Sequence, residues 1–567
     1  MSTAAAAPRP WTKYRPSRPL DLPDRAWPSR VLTGAPRWCS VDLRDGNQAL
    51  AQPMSVDEKL DFFRLLAAVG FREIEVGFPS ASQVEFDFTR RLVEGGLVPD
   101  GVAIQVLTQA REPLIRRTFE SLAGARRAIV HLYNSTSELQ RRVVFGMSRA
   151  QVIDLAVRGT RIAREEAARL EGTDVVFEYS PESFTGTEPE FAVEICEAVL
   201  DAWGATADRP VILNLPATVE MFTPNVYADL IEWFLRRLAR PERAVLSVHA
   251  HNDRGTAVAA TELALLAGAR RVEGTLFGNG ERTGNVDLLT LALNLLTQGI
   301  DPGLDLADVD RIVGVYERCT RLPVHPRHPY AGELVHTAFS GSHQDAISKG
   351  LRARERERPD AWEVPYLPID PADLGRSYEA VIRINSQSGK GGAAHVLEQD
   401  HGFTLPKPMH PEFGAVVQRL AESAGAELSS ATIREAFERE YLAPGGRFAL
   451  VRWRVEDEPG AGPDQPSRAR FVGAVSVDGV ERAIAGSGNG SIDAFCAALR
   501  GSGCADFSLA TYHEHALDRG SGSRAVAYIQ IEVPGTGRRF GVGVDTDISA
   551  ASFRAILGAL NRSAAPA

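Results

Sequence analysis

Cysteine is scarce in this chain and shows no pairing pattern. Cys39, Cys196, Cys319, Cys496 and Cys504 are scattered over 567 residues, odd in number and without metal-ligand spacing. This argues against a disulfide framework and fits a reducing, cytoplasmic location with ordinary packing roles. Long apolar runs are also missing: no segment approaches the ~20 residues needed to span a bilayer, so no membrane is expected. The start of the chain, Ala4 to Ala7 followed by Pro8 and Arg9, lacks the apolar core of a secretory signal. There is no long basic run, and 63 Lys and Arg against 73 Asp and Glu leave a net charge of -10, which disfavours nucleic acid as a partner. No Gly-x-Gly-x-x-Gly follows the first strand candidate, which counts against a dinucleotide fold. Gly389-Lys-Gly-Gly392 does not meet the phosphate-loop pattern.

What is present is a globular composition, 44% hydrophobic and 24% charged, with length enough for several cores. After an irregular arm, residues 1–36, with Trp11 and Trp27 as anchors over another surface, short apolar runs alternate with amphipathic stretches. Strands are expected at Trp38–Leu43, Glu73–Phe78, Ala103–Thr108, Ala128–Tyr133, Val175–Tyr179, Val211–Leu215, Ala244–His249 and Val272–Phe277. Helical patterns between them include Val56–Val69, Arg149–Arg169, Glu188–Trp203, Pro224–Leu238 and Ala257–Leu266. Eight strands with helical crossovers predict an α/β fold, a (β/α)8 TIM barrel over residues 37–322. A doubly wound open sheet is the rival.

Barrel chemistry sits where strands end. Those ends carry Arg44-Asp45, Thr108, His131, Glu182, Thr218, His249 and His251, and Gly278-Asn-Gly-Glu281, while strand interiors are read as apolar. His249 and His251 are two apart on a strand, so both imidazoles face one side. With Asp45 they make a set of two nitrogens and a carboxylate suited to Mn²⁺, Zn²⁺ or Mg²⁺ as a Lewis acid. Arg44, beside that Asp, is placed to neutralise enolate or alkoxide charge. Glu182 is a candidate acid, base or base-orienting group. Asn285 and Glu281 flank a Gly-rich turn whose backbone can approach a ligand closely.

Leu43-Arg-Asp-Gly-Asn-Gln-Ala49, Val248-His-Ala-His-Asn-Asp-Arg-Gly-Thr-Ala-Val258 and Val272-Glu-Gly-Thr-Leu-Phe-Gly-Asn-Gly-Glu-Arg-Thr-Gly-Asn-Val286 resemble the signatures of the 2-isopropylmalate synthase and homocitrate synthase family. The resemblance implies an acyltransferase of leucine biosynthesis: condensation of acetyl-CoA with 3-methyl-2-oxobutanoate (2-oxoisovalerate), then thioester hydrolysis. Homocitrate or citramalate synthases, with the same chemistry on another 2-oxo acid, are the nearest alternatives. Lyases on related metal barrels and a catalytically dead leucine-binding regulator are more distant ones. By resemblance, Asp45, His249, His251 and Asn285 make the metal site. Arg44, His131, Ser180 and Thr218 contact the 2-oxo acid, and Glu182 and His343 serve the proton transfers, His343 from a linker entering the other protomer's site. A divalent metal, K⁺ as an activator, a homodimer and feedback inhibition by leucine are further implications.

Beyond the barrel, residues 323–443 are expected to form an α-rich linker. It has a polar loop at Arg352–Pro359, a family-like stretch at Ile382–Gly392, and helices at Pro411–Ala424 and Ser430–Tyr441. Pro-, Gly- and acid-rich residues 444–466 suggest a hinge. Residues 467–567 predict a weakly duplicated α+β module. Its strands are expected around Phe471–Val477, Glu481–Ala485, Ser508–Tyr512, Ala525–Val533 and Arg538–Val544, with helices at Ser491–Leu499 and Ser549–Leu560. The resemblance makes this the leucine-binding regulatory domain, with Gly488, Asn489, Gly490, Ala494 and Tyr512 as candidate effector contacts.

Overall fold

The computed structural model describes residues 13, 20–338, 340–377, 392–424, 428–443, 445–458, 468–518, 520 and 522–564. Trp11 and residues 382–391 lie outside them. The chain divides into two compact units, residues 1–335 with 369–377, and residues 336–368 with 378–567.

In the first unit, eight parallel strands close into a barrel in chain order: β1 (Arg37–Ser40), β2 (Glu73–Gly77), β3 (Ala103–Gln109), β4 (Arg127–Ser135), β5 (Asp174–Glu182), β6 (Val211–Ala217), β7 (Ala244–Ala250) and β8 (Arg271–Gly274). β8 pairs back onto β1 from Arg37/Arg271 to Ser40/Gly274. Closure leaves no strand edge unpaired, and the open-sheet rival is excluded.

Eight helices form the outer ring: α1 (Val56–Val69), α2 (Gln83–Glu94), α3 (Glu112–Ser121), α4 (Arg149–Arg169), α5 (Pro189–Trp203), α6 (Pro224–Arg237), α7 (Ala257–Ala267) and α8 (Leu288–Leu296). Their ends follow local chemistry. Ser55 and Glu58 form a reciprocal capping box at the start of α1, and Gly70 at φ 113° ends it. Leu60, Phe63 and Leu66 of α1 are buried in the unit's core, each contributing on the order of 1.5–3 kcal/mol by leaving water.

β1 and β8 stop short of the expected Leu43 and Phe277. Asp42 is the reason: its carboxylate accepts the Ser40 hydroxyl at 2.7 Å and the Leu276 N–H at 3.1 Å. It thereby ties the chain leaving β1 to the chain leaving β8, and both turn out of the sheet. A second expectation is corrected in the barrel interior, which is not apolar. Glu75, Gln105, Glu178, Asn214, Ser247, Arg271 and Glu273 are buried there on strands that read as hydrophobic runs. Most of their polar groups are satisfied by one another. Glu178 is held by ion pairs to Arg271 and His131, and Asn214 Oδ1 has no hydrogen-bond partner among the described residues.

The described part of the N-terminal arm lies on α6. The Trp27 indole donates to Asp229 at 2.8 Å, the Ala26 and Trp27 amides donate to Glu232 at 2.9 Å, and Arg25 pairs with Asp229. Helix α9 (Val309–Thr320) completes the unit, with Tyr316 edge-on to Phe62 of α1.

The second unit begins with α10 (Gly341–Glu357). It continues through Arg352–Glu357, which the sequence suggested as a loop, because a polar surface helix needs only a narrow apolar stripe; Ile347 supplies it against Val364 and Leu367. Helices α11 (Gly392–His401), α12 (His410–Ala424) and α13 (Ser430–Phe437) gather Leu397, Phe413, Phe437 and Tyr441 into a core. Six antiparallel strands follow: β9 (Phe448–Glu458), β10 (Arg468–Val477), β11 (Val480–Gly488), β12 (Ser508–Ala516), β13 (Ala525–Val533) and β14 (Gly537–Asp545). They form two three-stranded sheets, each followed by a helix, α14 (Ser491–Gly501) and α15 (Ile548–Ala564). The duplication is thus stronger than expected. Its missing strand, β9, lies within the segment read as a hinge and pairs with β10 from Phe448/Val477 to Glu458/Arg468. Among the described residues no helix is long and apolar enough to cross a membrane.

Candidate active site

The C-terminal ends of the barrel strands surround a cavity of about 810 Å³, lined among others by Arg44, Asp45, His131, Ser180, Glu182, Thr218, His249, His251 and Glu281. The sequence alone singled out nine of these lining residues.

Asp45 sits in a wide helical turn, Asp42–Gly46, directly after β1. His249 lies on β7 and His251 just beyond it. The Nε2 atoms of the two imidazoles stand 3.6 and 3.7 Å from Asp45 Oδ2. One ligand atom from each of the three residues falls within 4.8 Å of the others, the size of a small cation's coordination sphere. The Asn285 amide donates to Asp45 Oδ2 at 2.8 Å. It arrives there because the chain after β8 folds back onto β7, with the Val286 amide on the Ala250 carbonyl and the Asn252 amide on the Gly284 carbonyl. Two glycines make that turn possible. A Cβ at Gly284, whose φ is 93°, would stand 1.8 Å from the Gly278 carbonyl oxygen, and one at Gly280 would meet the Asn285 amide nitrogen at 2.2 Å.

The charge states of the three residues are set by burial and by one another. Burial pushes the Asp45 carboxyl up, but the Arg44 guanidinium and the two imidazoles hold it well below the usual carboxylate range. Burial lowers His251 to about 4, helped by its neighbour His249, so its ring is neutral. Burial also opposes charge on His249, but the carboxylates of Asp45 and Glu273 on either side of its ring outweigh this and raise it to about 9. A cation bound at Nε2 would therefore displace a proton there. Two buried atoms of the set, Nδ1 of His251 and Oδ1 of Asn285, have no hydrogen-bond partner among the described residues. The orphaned Asn285 oxygen fits a cation site, His251 Nδ1 is the ring nitrogen away from Asp45, and the donor set fits a divalent ion.

Arg44 is clamped by two carboxylates, Nε to Glu75 at 2.5 Å and Nη1 to Asp45 at 2.6 Å. His131 bridges Glu75, 3.0 Å from Nδ1, and the Ser180 hydroxyl, 2.7 Å from Nε2. Glu182 accepts the Ser135 hydroxyl. Thr218 Oγ1 accepts the Ser183 amide at 2.9 Å, which helps hold Ser183 at φ 60°. Thr108 is buried with its hydroxyl on a backbone carbonyl and does not line the cavity.

Outside the barrel, His343 lies on α10 of the second unit with its ring stacked on Tyr366 at 4.0 Å. Gly488 ends β11, Asn489 and Gly490 make the turn, and Ala494 lies in the first turn of α14; Asn489 N donates to Asp493 at 3.0 Å. Tyr512 is on β12, in the other sheet, with its hydroxyl on Glu514.

Sequence reasoning missed Glu75, Gln105, Asn214, Arg271 and Glu273. The signal was there: Glu73-Ile-Glu75 and Arg271-Val-Glu273 put charges two apart in strands, one step of the pleat, which points them to the same side.

The chain matches the HMGL-like family model over residues 35–315, alpha-isopropylmalate synthase, post-catalytic domain-like, over 333–398, and the LeuA allosteric (dimerisation) domain over 427–564. A 2-isopropylmalate synthase of Rhodospirillum rubrum is 57% identical, over 97% of this chain and 98% of that protein. One from Parafrankia sp. is also 57% identical, over 98% and 97%, and one from Clostridium acetobutylicum is 52% identical, over 98% and 99%. With matches of this identity running from end to end, the chain belongs to the 2-isopropylmalate synthase family.

Proposed function

We propose that this chain condenses acetyl-CoA with 2-oxoisovalerate and hydrolyses the thioester, giving 2-isopropylmalate and CoA. The observation that carries the reading is the Asp45–His249–His251 cluster beside a carboxylate-clamped Arg44, in a chain 57% identical to full-length relatives with that name.

A divalent cation held by Asp45, His249 and His251, with Asn285 beside them, would supply Lewis-acid polarisation of the 2-oxo acid's keto group. The remaining work falls to the chain's own groups. Arg44, with Nε and Nη1 committed to Glu75 and Asp45, offers Nη2 to the oxygen on which negative charge develops. His131 and Ser180, locked to each other, and Thr218 orient the 2-oxo acid in the cavity. Glu182 serves as the acid or base at its rim, or orients the base that takes a proton from the acetyl methyl. His343 is assigned a share of that base machinery, so its replacement by Ala is expected to lower kcat. The methyl carbon then bonds to the keto carbon, and water cleaves the thioester, releasing CoA and making the sequence irreversible. Acetyl-CoA, the 2-oxo acid, a homodimeric partner through the residues matching the dimerisation domain, leucine as inhibitor, K⁺ activation and a cytoplasmic setting belong to the same proposal. Mg²⁺, Mn²⁺ and Zn²⁺ are all compatible with the ligands.

The test is CoA release by metal-loaded protein with 2-oxoisovalerate, 2-oxoglutarate and pyruvate compared, each with and without leucine. Preference for 2-oxoisovalerate and loss of rate with leucine are expected. Preference for another acid would move the protein to a sister reaction, and no CoA release from any would end the synthase reading.

A further inference from the structure

Glu273 is fully buried in the barrel interior on β8, below the metal-ligand set and outside the cavity lining. It has four partners. Oε1 faces the Gln105 amide nitrogen at 2.7 Å and Arg271 Nη1 at 2.9 Å. Oε2 faces His249 Nδ1 at 2.9 Å and the Asn214 amide nitrogen at 3.1 Å. The Gln105 amide can be oriented only one way. Arg271 Nη2 stands 2.6 Å from its other terminal atom, and a guanidinium only donates, so that atom is the oxygen and the NH₂ points at Glu273. Donors therefore occupy Oε1 fully, and the carboxylate is left to accept at Oε2 as well.

We propose that Glu273 is a positioning residue for His249. It holds the imidazole with its hydrogen on Nδ1, so that Nε2, 3.6 Å from Asp45, presents its lone pair to the cation. The carboxylate is itself held by Arg271, which also reaches Glu73, Gln105, Glu178 and Ser247 and so cross-links β2, β3, β5, β7 and its own β8 beneath the site. A carboxylate on the far nitrogen of a ligating imidazole fixes both ring orientation and tautomer. His251 has no such brace, since its Nδ1 is buried without a partner among the described residues. The two histidines are thus unequal ligands, one preset by the fold and one free to adjust. This inference rests on the metal reading of the Asp45 cluster.

The experiment measures Mn²⁺ binding to metal-stripped full-length protein by titration calorimetry, with the Co²⁺ absorption bands as a second readout. Four proteins are compared: the parent, Asp45→Asn, Glu273→Gln and Gln105→Leu. Parent binding that Asp45→Asn abolishes establishes the metal reading independently of Glu273. Glu273→Gln can turn an NH₂ towards Nδ1 and impose the wrong tautomer, so its Kd for Mn²⁺ is expected to rise about 10- to 100-fold, with altered Co²⁺ bands and near-parental melting. A Kd within twofold of the parent, with unchanged Co²⁺ bands, overturns the proposal. If Glu273→Gln does not fold, Gln105→Leu decides. It frees one anchor of the carboxylate, and a several-fold weaker Kd supports the proposal while an unchanged one overturns it. If the parent binds no Mn²⁺, or Asp45→Asn binds it equally well, the metal reading fails and Glu273 falls with it.

Discussion

Arg44 shows how much of this site depends on one side chain's shape rather than its charge. Its guanidinium reaches Glu75 through Nε and Asp45 through Nη1, and the two carboxylates, with burial opposing them, hold it charged. Lysine is a single flexible point charge and cannot span both partners while leaving a donor for the substrate. Arg44→Lys is therefore expected to keep its metal, checked by elemental analysis, and to lose kcat by roughly 10²–10³, the usual cost of an oxyanion donor. KM for the 2-oxo acid should move much less. A kcat within threefold of the parent would show that Arg44 stabilises nothing specific to the transition state.

At the scale of the element, two loops carry the site, and each yields a prediction. In the turn Gly278–Gly284, Gly284 at φ 93° with no room for a Cβ sets the position of Asn285. Gly284→Ala should force the turn open, pull Asn285 away from Asp45 and lower both the melting temperature and kcat. A variant with parental melting and turnover would sever the turn from the site. In the loop after β1, burial pushes the Asp42 carboxyl up to about 7, against hydrogen bonds from Ser40 and Leu276 that lower it. The folded chain thus holds a proton that the unfolded chain gives up near 3.8. Stability from this group is greatest below about 3.8 and falls as pH rises to 7. Asn at 42 can accept from Leu276 and donate to Ser40 without that proton. Melting curves at pH 5 and 8 should show Asp42→Asn gaining on the parent as pH rises, and a constant difference would refute the assignment.

Elements were legible in the sequence where hydrophobic period and caps agreed. The barrel strands fall on the apolar runs, apart from the early ends of β1 and β8, and α1 keeps its expected bounds, because a closed parallel barrel buries both faces of each strand. That His249 and His251 face Asp45 together was legible because His-x-His on a strand has one geometric consequence. β9 was not legible: its charged residues, Arg452, Arg454, Glu456, Asp457 and Glu458, resemble a solvated linker. Only pairing with β10, over which it shows a mostly exposed face, makes it a strand. The polar interior was missed for the converse reason. A lone Glu75 or Glu273 in an apolar run is costly by itself and becomes tolerable only beside Arg44, Arg271, Gln105 and His131, partners brought in by closure of the barrel.

For the whole molecule, the proposed active site lies in one compact unit and the proposed effector turn in the other, so the proposed leucine inhibition would be a coupling free energy between distinct sites. Leucine can lower the rate only by binding one state of the protein better than another. The turn joining β11 to α14 is where that difference can be removed without touching the cavity. A Cβ at Gly488 would stand 2.4 Å from the Ala494 amide nitrogen, backbone that cannot yield without reshaping the turn. Gly488→Ala is expected to keep kcat and both KM values within about twofold when leucine is absent, because no residue of that turn lines the barrel cavity. Inhibition by leucine should be lost or weakened by at least tenfold in concentration, which corresponds to about 1.4 kcal/mol of effector binding. Reciprocity adds a second observable. In the parent, if leucine weakens equilibrium binding of the 2-oxo acid by some factor, that acid must weaken leucine binding by the same factor. In Gly488→Ala both effects should vanish together. A variant that still responds to leucine at the parent's concentration would remove the turn from the effector site and leave the barrel chemistry untouched.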